Sequence, residues 1–147
     1  MKSQVAQAAA MIRKHLKANN IDARVTSKSY SMGSSINVNI NQDVVPAVRE
    51  MIETYAKGFQ YGHFDGMRDL YEYSNTNDEI PQAKFVFVHF NNSDELEAAA
   101  REFMGRWKYE TEYELDRAVW SLLAGNGQSD LVAEFWKTQK PRVRVAA

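Results

Sequence analysis

The 147-residue chain contains no cysteine, which removes disulfides, thiolate zinc sites and cysteine nucleophiles together and agrees with a reducing cytoplasm. It also lacks any window approaching the roughly 18 uninterrupted apolar residues of a membrane span. No Gly-Lys-Ser/Thr closes a glycine-rich loop and no G-x-S-x-G elbow occurs, so the signatures of nucleotide and serine hydrolases are both missing. Nothing in these absences calls for a cofactor or a metal.

What is present suits one globular domain over residues 1–147, since 44% of the residues are hydrophobic and 12% aromatic. Net charge is only −1, but its distribution is uneven. Residues 1–40 carry a balance of +5, residues 41–116 a balance of −9, and Lys137, Lys140, Arg142 and Arg144 make the tail basic. Such a dipolar chain can orient a charged partner.

Val5, Ala8, Ala9, Ile12 and Leu16 recur at helical spacing up to Asn19 and Asn20, and Arg13, Lys14 and His15 interrupt what could pass for a signal peptide. Ile21, Ala23 and Val25 alternate with Asp22, Arg24 and Thr26; Ile36, Val38 and Ile40 alternate with Asn37, Asn39 and Asn41. Both runs predict half-solvated strands, joined by a somewhat long hairpin loop over residues 29–35. Asp43 can cap a second helix whose first turn tolerates Pro46. "LYEYS" reads as a third strand, and "KFVFVHF", apolar on both faces, as the central one. Between them "SNTNDEIPQA" is an exposed loop. Asn92 with Glu95, and Thr111 with Glu114, fit capping boxes of two more helices, and a short helix holds Phe135 and Trp136. The order αββαββ and then helices predicts an α+β fold: an antiparallel four-stranded sheet covered by helices, with additional C-terminal helices.

"YSMGSSINVNI" and "GHFDGMRDLYEY" together, in this order and spacing, resemble the large polyvalent protein-associated domains of phages and other mobile elements. The resemblance covers about residues 4–105, which divides the single domain into a family-like core at 4–108, a helical extension at 109–140 and a basic tail at 137–147. It implies a context more than a reaction: such proteins enter a host cell with the element's DNA and protect it or disable host defences. It assigns no catalytic residue, so Gly33, Ser34, Ser35, Asn37, Phe64, Asp65, Gly66, Met67, Asp69, Tyr71 and Tyr73 carry over as motif positions only.

Each candidate for chemistry has a structural reading beside it. Gly33, Ser34 and Ser35 can cradle an anion, or simply shape a hairpin corner. Asn37, Asn39 and Asn41 form a polar row able to read bases or a peptide edge, or merely a solvated strand face. His63, Asp65 and Asp69 invite a metal or acid/base reading, while Asp65-Gly66 is equally a turn with Phe64 and Met67 plugging the core. The basic residues Arg13, Lys14, Lys17, Arg24 and Lys28 and the tail suit nucleic acid, with Tyr30 and Trp136 for stacking.

The leading expectation is a non-enzymatic, cytoplasmic counter-defence protein that contacts a host defence nuclease or its guide complex. The alternative is a nucleic-acid-binding accessory protein for DNA transfer or protection. An enzyme centred on Ser34, His63 and Asp65 requires those side chains to converge.

Overall fold

A computed structural model describes residues 3–126 and 129–139. Helix α1 (Gln4–Ala18) starts where Ser3 Oγ accepts from the Ala6 amide at 3.3 Å, satisfying one of the orphan donors of the first turn. Strands β1 (Ala23–Tyr30) and β2 (Gly33–Ile40) pair antiparallel along their whole length, with Tyr30 opposite Gly33. The expected long loop is thus a two-residue turn at Ser31 and Met32. Gly33 makes this possible: its φ of +154° is one that L side chains rarely adopt, and a Cβ there would stand 2.6 Å from Cδ of Lys84.

Next come α2 (Pro46–Lys57), β3 (His63–Asp65), β4 (Leu70–Glu72) and β5 (Phe85–Phe90), then α3 (Asp94–Met104), α4 (Glu112–Ala124) and α5 (Ser129–Thr138). The fold is α+β, but the four-stranded antiparallel sheet is corrected. The main sheet is three-stranded and mixed, in the order β1-β2-β5, with β5 parallel to β2; β3 and β4 form a separate hairpin. Parallel strands need a crossover, and α2 supplies it, with the β3/β4 hairpin inserted in the same connection. β2 is therefore central and β5 an edge strand, the reverse of what the apolarity of "KFVFVHF" predicts.

Two further expectations change for local reasons. Val45 holds the N-cap position of α2 without a side-chain cap, because Asp43 accepts from Ser93 instead, at 2.7 Å from its amide and 2.6 Å from its hydroxyl. That places Ser93, and not Asn92, as the cap of α3. Thr111 does cap α4, accepting from Glu114 N at 3.2 Å.

Two hydrophobic clusters result. The first joins α1 and α2 to one face of the sheet through Ile12, Leu16, Val25, Ile36, Val38, Ile40, Ile52 and Val86; the second joins α3, α4 and α5 around Phe103, Leu122 and Phe135. Because the last three helices bury their apolar faces on one another, helices cover only one face of the sheet. Among the described residues no helix is long and apolar enough to cross a membrane.

Candidate functional site

Side chains alternate across a strand, and residues opposite one another in a ladder share a face. The register therefore lays three rows across the face turned away from α1 and α2: Lys28, Ser35 and Phe85; Thr26, Asn37 and Phe87; Arg24, Asn39 and His89, with Ser35 itself buried. Each row runs from β1, across an amide or hydroxyl on β2, to a ring on β5. Neither acidic residue type occurs in these strands. Arg24, Lys28 and His89 are exposed, and Phe87 is 43% exposed. Among the described residues the side chains of Arg24, Lys28, Asn37, Asn39 and His89 make no hydrogen bond or ion pair, so their donors face outward.

The β3/β4 hairpin extends this face. Tyr71 donates its hydroxyl to the Lys84 carbonyl and meets the Phe85 ring edge-on at 5.5 Å, and Phe85 stacks with Phe87 at 5.9 Å. Tyr61 and Tyr73 close the series, stacked at 5.5 Å. Gly62 is required beneath it, since a Cβ would collide with the Glu72 carbonyl and the Tyr71 ring. Burial, then the nearby Tyr61 and Tyr73 phenols, push the Tyr71 hydroxyl up to about 12. Burial likewise raises Tyr61, helped by Tyr73 and Tyr30. Lys84 is already engaged: Nζ donates to Met32 O at 3.1 Å and lies 5.1 Å over the Tyr71 ring.

Side chains engage backbone groups at both edges of the sheet. Arg13 Nη2 donates to Val25 O of β1 at 2.7 Å. On β5, Lys57 Nζ donates to Val86 O while Gln60 Oε1 accepts from Val86 N at 2.7 Å. Partial burial lowers the Lys57 pKa, against the opposing pull of Glu53. Edge pairing with another chain is thereby blunted.

The remaining candidates separate. Lys14 and Lys17 are exposed on α1, which packs on the opposite face of the sheet from Arg24 and Lys28. Lys137 is exposed on α5; Lys140, Arg142 and Arg144 lie outside the described residues. Trp136 is not available for stacking, because Nε1 donates to Leu122 O at 3.1 Å and its ring packs on Phe135. Asn41 accepts from Asn91 at 2.9 Å. Tyr30 ends β1, 44% exposed.

The enzyme constellation does not share a hydrogen-bond circle. Ser34 Oγ accepts from Lys84 N at 3.2 Å, His63 Nδ1 faces Ser74 Oγ at 2.7 Å, and Asp65 Oδ1 accepts from Met67 N at 3.0 Å. Asp65 thus shapes the turn, and Asp69 completes it at φ 54°, a conformation aspartate tolerates. Phe64 and Met67 do not plug the core; they are 56% and 99% exposed at the hairpin tip. No group of three or more metal-ligating side chains occurs among the described residues. A recess of about 690 Å³ beside Trp120 holds none of the candidates, and its arginines are engaged, Arg49 with Glu53 and Arg101 with Asp116.

Phe85, Phe87 and His89 belong to the face yet sequence reasoning missed them, because continuous apolarity was read as burial on both sides. The available signal was the pairing of rings at alternate positions with a strand of alternating asparagines.

The fold and site define a two-layer α+β protein with one bare sheet face. Comparison with family models, with curated proteins and with solved structures finds no match to the chain.

Proposed function

We propose that the chain is a non-catalytic nucleic-acid-binding protein whose contact surface is the bare face of β1, β2 and β5. One observation carries this reading: strands without a carboxylate present Arg24 and Lys28 on β1, unpaired amides on β2 and rings on β5 across one face, a combination that suits phosphate and base together. The setting implied by the polyvalent-domain resemblance makes it an accessory of DNA transfer or protection, acting in the cytoplasm of the host. The carboxylates of the strongly acidic middle of the chain lie outside these three strands, although Asp65, Asp69 and Glu72 stand on the adjoining hairpin. Titration of labelled DNA and RNA at low salt tests the reading. Measurable binding that weakens in the double variant Arg24→Gln, Lys28→Gln supports it; no binding to any nucleic acid ends it.

A second reading, contact with a host defence nuclease or guide complex, draws on the exposed apolar tip of the β3/β4 hairpin, where Phe64, Met67 and Leu70 stand out. Expression in a host with active restriction or guide-dependent interference tests it. Unchanged defence, with no defence component co-purifying, counts against it.

A further inference from the structure

Resting on the nucleic-acid reading above, we infer that the ligand is single-stranded and lies across the three rows, its bases against β5 and its phosphates toward β1. The rings of Phe85 and Phe87 lie parallel, 9° apart with centroids 5.9 Å apart, and Phe87 is the more exposed of the two at 43%. Only an unpaired base can offer its π-face to the exposed Phe87 ring, because a duplex hides that face between neighbouring pairs. Asn37 and Asn39 stand beside Phe87 and His89 with both amide donors and acceptors open, suited to base edges that pairing would otherwise occupy. Arg24 and Lys28 stand two strands away, about 10 Å, on the side where a sugar-phosphate backbone would run. Successive rows are about 6.6 Å apart, so an extended strand advances row by row.

Duplex recognition is disfavoured by the same geometry. α1 and α2 pack against the opposite face, so no helix projects from this one to enter a groove. Among the described residues, two cations of the face, Arg24 and Lys28, are without a partner, which leaves little counterion release to hold a duplex. Stacking must supply most of the affinity.

The test compares a short mixed-sequence single strand, as DNA and as RNA, with the duplex of the same sequence across a salt series, using the full chain. The single strand binds roughly tenfold tighter or more, as one to two stacked bases allow. The slope of log affinity against log salt is about −1.4, the value for two phosphates on a single strand. Phe87→Ala weakens binding roughly tenfold, and Phe87→Leu, which keeps the apolar bulk without the flat ring, weakens it nearly as much. Equal affinity for duplex and single strand overturns this inference and leaves the parent reading standing, whereas no binding to either ends both. Displacement of the single strand by polyglutamate as readily as by unlabelled oligonucleotide, with Phe87→Leu unaffected, also overturns it in favour of an acidic polypeptide.

Discussion

Tyr71 donates its hydroxyl to the backbone carbonyl of Lys84, the residue just before β5, and so ties the β3/β4 hairpin to the edge of the main sheet. Both motif segments of the sequence meet through this contact. Lys84 also touches the first of them, since its amide donates to Ser34 and its side chain crosses Gly33. The hairpin is thereby a fixed extension of the bare face.

Tyr71→Phe removes that bond while keeping the ring against Phe85. Stability falls by about 0.5–1.5 kcal/mol in chemical denaturation, and amide exchange speeds up over residues 63–72 more than in α1.

Alkaline titration should show the same phenol. Its pKa is raised in the folded chain, to about 12, so between roughly pH 10 and 12 the unfolded chain has released this proton and the folded chain has not. Stability contributed by Tyr71 is complete below pH 10 and is lost as pH rises toward 12. The unfolding midpoint therefore drops across that window by less in Tyr71→Phe than in the wild-type chain.

Gly33→Ala forces a side chain onto a φ of +154° and against Lys84. A loss of about 1–3 kcal/mol is expected, read as a lower thermal midpoint. Ser31→Ala, in the same turn, leaves the midpoint nearly unchanged.

The side-chain partners of Val86 on the β5 edge give a prediction about association. Lys57→Met with Gln60→Ala leaves the Val86 amide and carbonyl without their side-chain partners. Concentration-dependent self-association, seen by light scattering, is the expected result. A double variant as monodisperse as its parent at all concentrations refutes this role for the pair.

Gln82 is buried and binds three backbone groups at once: its amide donates to Gly58 O and Asn75 O, and its carbonyl accepts from Asn77 N. Gln82→Leu strands those groups and costs about 1–3 kcal/mol. Protease cleavage rises first within residues 73–81, which this side chain anchors.

Much of the local structure was legible in the residues. Periodicity located α1, alternation located β1 and β2, and Thr111 marked the start of α4. Asp65-Gly66 marked a turn as well. The candidate site was half legible: Asn37, Asn39, Arg24 and Lys28 were named, but Lys14 and Lys17 were grouped with them and Phe87 was not. Periodicity assigns a residue to a face of its own element. It does not say which faces of different elements coincide.

The sequence by itself determined that strands with alternating Ile and Asn would have one apolar and one polar side, because a period of two leaves no other choice. Only the tertiary structure decided that β5 runs parallel to β2 and that its second apolar side stays bare. Alternation is the same in either strand direction. Burial of a face, moreover, depends on what is stacked on it, and here α3, α4 and α5 pack on one another instead of on Phe85 and Phe87.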